Sequence, residues 1–105
     1  MTNTLKCISP IDGSVYLERP VLSLEGARDV CARAKAAQGA WAARPLAERV
    51  QLVRDAIAEV GKTTDRMEQE LAHQMGRPVR YGGEFGGFAE RGNYMADIAE
   101  KALAP

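Results

Sequence analysis

The sequence predicts a mainly α-helical fold with a small β-hairpin at its N-terminal end. Three observations lead there. A turn signal, Pro10-Ile11-Asp12-Gly13, separates two short mixed runs; apolar stripes at helical spacing occupy most of the chain after Ser23; and Gly or Pro stands at the joints between stripes. At 105 residues the chain fits one small unit, 1–105, whose folding buries roughly two thirds of the surface the unfolded chain exposes.

The hairpin is expected over about residues 5–19. Asp12-Gly13 supplies the positive φ that a tight turn demands, and Pro10 presets φ for turn entry. Two strands alone are marginal in water, so the hairpin needs something to pack on. Pro20 breaks its second strand, and Ser23 is a natural N-cap for a helix over about 24–43. The apolar positions of that helix, Leu24, Ala27, Val30, Cys31, Ala34, Ala37 and Trp41, are mostly alanine. Such a stripe permits close approach but buries little area, which leaves Trp41 as the anchor.

Pro45 suits the first turn of the next helix, about 45–61, where its missing N–H is no loss. Leu46, Val50, Val53, Ile57 and Val60 recur there at spacings of four and three. Gly61 is placed to close the helix, and Thr63 or Thr64 to cap another, about 64–75, with Met67, Leu71 and Met75 on one face. Gly76 and Pro78 stop it. The last helix, about 83–103, carries Phe85, Phe88, Met95, Ile98, Ala99 and Ala102, interrupted by Gly86, Gly87 and Gly92. Each interior glycine costs about 1 kcal/mol relative to Ala, so close packing or room for a ligand is expected to explain them, packing first.

Acidic and basic residues balance at 14 each, which favours neither nucleic acid nor an anionic membrane surface. No run approaches the ~18 apolar residues of a membrane-spanning helix. Cys7 and Cys31 stand in no metal-ligand spacing, and residues 1–8 lack the apolar run of a signal peptide, so a soluble, cytoplasmic protein is expected.

No motif performs chemistry by itself. Gly82-Gly83-Glu84-Phe85-Gly86-Gly87 lacks the G-x-G-x-x-G spacing and follows a helix and turn instead of a strand. Gly61-Lys62-Thr63 resembles the tail of a phosphate loop, but Ala56 stands where the first glycine belongs, so it reads as a helix terminus. His73 is the sole histidine and takes a surface or packing role; the two cysteines are small apolar fillers, since neither has an evident base. No catalytic, cofactor-binding or metal-binding residue is assigned.

The succession of turn, Ser-capped alanine-rich helix, Trp41, Pro45-x-x-Glu48-Arg49, amphipathic helix, Gly76-Arg77-Pro78 and a Tyr94-bearing last helix resembles the N-terminal part of the aldehyde dehydrogenase superfamily over residues 7–103. The resemblance implies the N-terminal portion of a cofactor-binding domain that is α/β in full-length members. It implies an oxidoreductase that converts aldehydes to carboxylic acids with NAD(P), using a cysteine nucleophile, a glutamate base, an asparagine oxyanion donor and a dinucleotide loop. In the family all four lie beyond the matched region, and neither Cys7 nor Cys31 occupies the nucleophile's place. The resemblance further implies that Glu84, Phe85, Gly87 and Phe88 border the approach of aldehyde, and that Gln74 stands where the family often has an acidic residue near a monovalent cation.

The expectation is therefore a truncated or split enzyme part, inactive as this chain alone and without a cofactor of its own. Its expected partners are the remainder of the enzyme or further copies, joined through apolar stripes that the chain leaves exposed. The alternatives are a helical protein-interaction module using those stripes and, third, a thiol sensor built on Cys7 and Cys31.

Overall fold

Gly13 adopts φ 75° and the Asp12 carboxylate accepts from the backbone N–H and the hydroxyl of Ser14, at 2.9 and 2.7 Å, so the Asp-Gly pair turns the chain as its chemistry requires. In the computed structural model, which describes residues 3–105, this turn joins antiparallel strands β1 (Thr4–Ile8) and β2 (Val15–Pro20). Cys7 pairs with Leu17, and the register then shifts by one residue so that Ile8 meets Val15. Ser9, the most deeply buried polar residue, closes the loop: its N–H donates to the Ser14 carbonyl and its own carbonyl accepts from Gly13 N–H, both at 2.9 Å.

Four helices follow among the described residues: α1 (Leu24–Ala43), α2 (Leu46–Gly61), α3 (Thr64–Met75) and α4 (Phe85–Ala102), with a 3₁₀ turn at Val79–Tyr81. The molecule is mainly helical with an N-terminal hairpin, the class the sequence predicts. Ser23 caps α1, its hydroxyl accepting from Gly26 N–H at 3.0 Å. Gly76 ends α3 in the left-handed conformation at φ 78°, its N–H reaching the Ala72 carbonyl.

Three joints differ from expectation. Pro45 lies outside the first turn of α2, extended at ψ 140°, and its carbonyl accepts from Glu48 and Arg49 N–H. Thr63 holds the N-cap position of α3, its carbonyl accepting from Met67 N–H at 3.0 Å, but its side chain makes no capping bond; the hydroxyl donates back to the Val60 carbonyl at 2.7 Å. Gly61 remains helical as the last residue of α2, and α4 begins at Phe85 because Gly82, at φ 72° and ψ −173°, holds the chain out of helix.

The core lies between α2 and α4, where Ile57 and Ala96 are buried. Gly92 explains how closely the two helices approach: a Cβ there meets Ile57 Cδ1 at 2.6 Å. Arg54 ties the same pair together, donating to Asn93 Oδ1 at 3.1 Å and Asp97 Oδ1 at 2.5 Å. The hairpin docks on the C-terminal end of α3. Tyr16 stacks on His73, ring centroids 4.9 Å apart and nearly parallel, and the Pro10 ring lies 3.1 Å from the point where a Cβ on Gly76 would stand.

No residue of α1 is buried, although its alanine stripe is built for close approach. The radius of gyration is 18.3 Å, against about 13 Å for a compact chain of this length. Leu24, Val30 and Trp41 on α1, Val53 and Val60 on α2, Phe88 and Met95 on α4, and Leu103 just after it are all exposed. No helix among the described residues is long and apolar enough to cross a membrane.

Candidate functional site

The segment that joins α3 to α4 brings the N-terminal turn of α4 back over the α2–α3 junction. Lys62 and Thr63 alone separate α2 from α3, so Val60 and Met67 face the same space. Phe85 and Phe88, three residues apart on α4, fall on one helical face and complete a hollow of about 340 Å³ lined by Val60, Met67, Glu84, Phe85 and Phe88. Phe85 is seated by Gly61, where an added Cβ stands 2.7 Å from the ring's Cζ. Gly61 is thus explained by ring packing and not by a cap.

Of the four residues singled out from sequence, the structure gathers Glu84, Phe85 and Phe88 at this hollow. Gly87 is not among its lining residues, and an added Cβ at Gly86 or Gly87 meets nothing within 4 Å. The α4 glycines therefore divide. Gly92 serves close packing, as does Gly83 ahead of the helix, whose Cβ position lies 3.1 Å from Glu68 Cγ, while Gly86 and Gly87 leave an open strip of helix surface. Val60, Gly61 and Met67 were read from sequence only as stripe and joint. The short α2–α3 connection, which must fold Met67 back towards Val60, is the signal that points to them.

Glu84 stands at the rim, paired with the Arg77 guanidinium from the Gly76-Arg77-Pro78 joint. Its charge is held at the mouth, leaving aliphatic and aromatic carbon to line the interior. The hollow suits an uncharged organic group and offers no acid, base or nucleophile at its floor.

The remaining candidates lie elsewhere. Cys7 directs its sulfur at the Gln74 carbonyl, 3.8 Å away, and Cys31 is exposed on α1; both are free thiols. Gln74 is committed locally, its side-chain amide donating to Glu70 at 2.9 Å. His73 packs on Tyr16. Burial against α3, with a hydrogen bond to Glu70, pushes the Tyr16 hydroxyl above its ordinary range, whereas bonds from Ser14 hold Asp12 below the usual carboxylate range. No group of three or more His, Cys, Asp or Glu among the described residues is placed to hold a metal ion.

The glycine run at 82–87 does not fit a dinucleotide pyrophosphate. A 3₁₀ turn precedes it where such loops follow a strand, Glu84 sets a carboxylate at the N-cap of α4, and Phe85 opens the helix with a bulky ring.

The chain's sequence matches the aldehyde dehydrogenase family over residues 1–104. It is similar to N-succinylglutamate 5-semialdehyde dehydrogenase of Novosphingobium aromaticivorans, 43% identical over 51 residues that make up 49% of this chain and 11% of that protein. The match thus spans about a tenth of the relative's length. No solved structure matches the chain.

Proposed function

This chain belongs to the aldehyde dehydrogenase family, a family of aldehyde-oxidising oxidoreductases, and from that premise we propose that it is one part of an enzyme oxidising aldehydes to carboxylic acids with NAD(P). In this reading the cysteine nucleophile, glutamate base, oxyanion donor and dinucleotide loop come from residues outside these 105. What the chain contributes is the hollow at Phe85 and Phe88, a wall along which aldehyde approaches, with Glu84 restrained by Arg77 so that its charge stays out of the path.

One observation carries the inactivity of the separate chain: neither thiol is placed for attack. Cys7 faces a backbone carbonyl in the hairpin–α3 seam, and Cys31 lies on an exposed helix face; a nucleophilic thiol needs a base or a positive helix end to become a thiolate. The test is direct. With a short aldehyde and NAD or NADP, the chain produces no reduced-cofactor absorbance. A family member lacking its own segment equivalent to residues 1–104 gains turnover when the chain is added. Turnover by the chain alone overturns the first statement, and absence of rescue overturns the second.

A second reading, a helical interaction module, is favoured by the exposure of the α1, α2 and α4 stripes. It needs no chemistry and predicts binding without rescue.

A further inference from the structure

Arg77 makes a contact that the helical frame does not require. The turn at Gly76-Arg77-Pro78 is made by the left-handed Gly76, yet the Arg77 guanidinium pairs beyond the 3₁₀ turn with the carboxylate of Glu84, at the mouth of the hollow. The Glu84 side chain is 63% exposed and that of Arg77 31%, so the pair stands in water at the rim. Glu84 lines the hollow and Arg77 does not. A body entering there meets the carboxylate before the guanidinium.

Inside the mouth the wall is built by Val60, Met67, Phe85 and Phe88, and it presents no polar atom. Phe85 is fixed by its contact with Gly61, whereas Phe88, tilted 43° to it with ring centres 6.2 Å apart, is 49% exposed. The water-facing part of Phe88 is the surface an apolar body covers on entry, and Met67 adapts to its shape. The volume, about 340 Å³, lies within the roughly 300–1,000 Å³ of pockets that take small molecules. A protein face covering the hollow has to bury the ion pair at its rim, and the desolvation of such a pair often exceeds its attraction. A small molecule seated below the rim leaves the pair in water. This spot therefore favours a small occupant over a second copy or the remainder of an enzyme.

We infer that the hollow takes the uncharged aromatic or aliphatic body of an aldehyde, and that Glu84, held at the mouth by Arg77, turns away aldehydes whose far end carries a carboxylate. The inference rests on the reading of this wall as the approach of aldehyde and adds to it the class of substrate. Arg77 sets the strength of the discrimination. It offsets part of the field of Glu84, so removing Arg77 sharpens the rejection of anions, and removing Glu84 releases a guanidinium that attracts them.

Alcohols test the inference, since they carry the body of an aldehyde but form no adduct with lysine. Benzyl alcohol, titrated into the chain labelled at its methionine methyls, shifts the Met67 methyl resonance saturably. Phe88→Ala, a change at an exposed position, weakens that binding at least about fivefold, with the far-UV helical signal retained. Para-(hydroxymethyl)benzamide and para-(hydroxymethyl)benzoate are close in size and differ in charge. The benzoate binds at least about threefold more weakly than the amide, and high salt brings the two together. Glu84→Gln abolishes or reverses the preference, whereas Arg77→Gln widens it. The inference is overturned by a Met67 signal that does not saturate, by a benzoate that binds as well as the amide to the wild-type chain, or by the Glu84 and Arg77 variants moving the ratio in the same direction. These readouts require no oxidation and no NAD(P), so they hold even where the rescue assay fails. Rescue that uses the matching charged and uncharged aldehydes equally well sinks the inference and leaves the enzymatic reading in place.

Discussion

Gly92→Ala sets helix propensity directly against packing. Alanine in the middle of a helix is favoured over glycine by about 1 kcal/mol. At this position the new Cβ falls 2.6 Å from Ile57 Cδ1 and 3.3 Å from Cγ1, where carbon atoms prefer roughly 3.5–4.0 Å. Ile57 is only 6% exposed and its χ1 is fixed by β-branching in α2, so relief means turning χ2 off its well or spreading α2 from α4. Overpacking of this kind costs about 1–3 kcal/mol, so the net change is a loss of about 1 kcal/mol.

Ile57→Val removes Cδ1 and by itself costs about 1 kcal/mol. In the double variant the alanine methyl occupies the vacated volume, the clash is gone and the propensity gain remains. Its stability therefore returns close to that of the parent, a favourable coupling of about 1.5–2 kcal/mol in the cycle. Urea unfolding followed by far-UV circular dichroism, at one fixed protein concentration, measures all four proteins. Strictly additive losses, or a Gly92→Ala variant more stable than the parent by the full propensity gain, refute the close approach of α2 and α4.

Gly61→Ala puts a methyl 2.7 Å from the Phe85 ring and is expected to lower stability by about 1–2 kcal/mol, the loss shrinking when Phe85→Leu is added; thermal melts check both. Gly76→Ala forces a left-handed residue at φ 78° towards Pro10 and costs about 1–2 kcal/mol, read from the urea midpoint. Asp12 is held below its ordinary range by Ser14, so its contribution is present above the unfolded-state value and fades as pH falls through the folded-state value. Ser14→Ala flattens that acid limb of a stability–pH curve. Tyr16 is pushed up, so its contribution is complete below the ordinary tyrosine range and is lost as pH rises through the folded-state value. Ultraviolet titration shows one tyrosine ionising late, and Tyr16→Phe removes that phase.

The elements that were legible from sequence are those whose cause is local. Asp12-Gly13, Ser23 and Gly76 act within a few residues of themselves, through a positive φ, a hydroxyl and a left-handed cap, and the structure shows each acting so. Gly61 and Thr63 were misread because the local rule for each was satisfied while another contact decided it. Gly61 yields to a ring 24 positions later in the chain, and the Thr63 hydroxyl bonds backward to Val60 instead of forward into α3. Pattern cannot show which of two permitted roles a glycine or threonine takes when the choice depends on a distant side chain.

The same limit governs the candidate site and turns it into an argument about the glycines of α4. Spacing alone placed Phe85 and Phe88 on one face, and the hollow beneath them follows from that. It also placed Gly86, Gly87 and Gly92 in one weak helical half, as though they had a single cause. The structure separates them: Gly92 lies hard against Ile57, whereas Gly86 and Gly87 touch nothing. Gly86 and Gly87 stand in the first turn of α4, where an added Cβ meets nothing among the described residues, so packing within the described chain does not account for them. On the proposed reading, that strip lies beside the Phe85–Phe88 wall along which aldehyde is proposed to approach, and the two glycines leave room there.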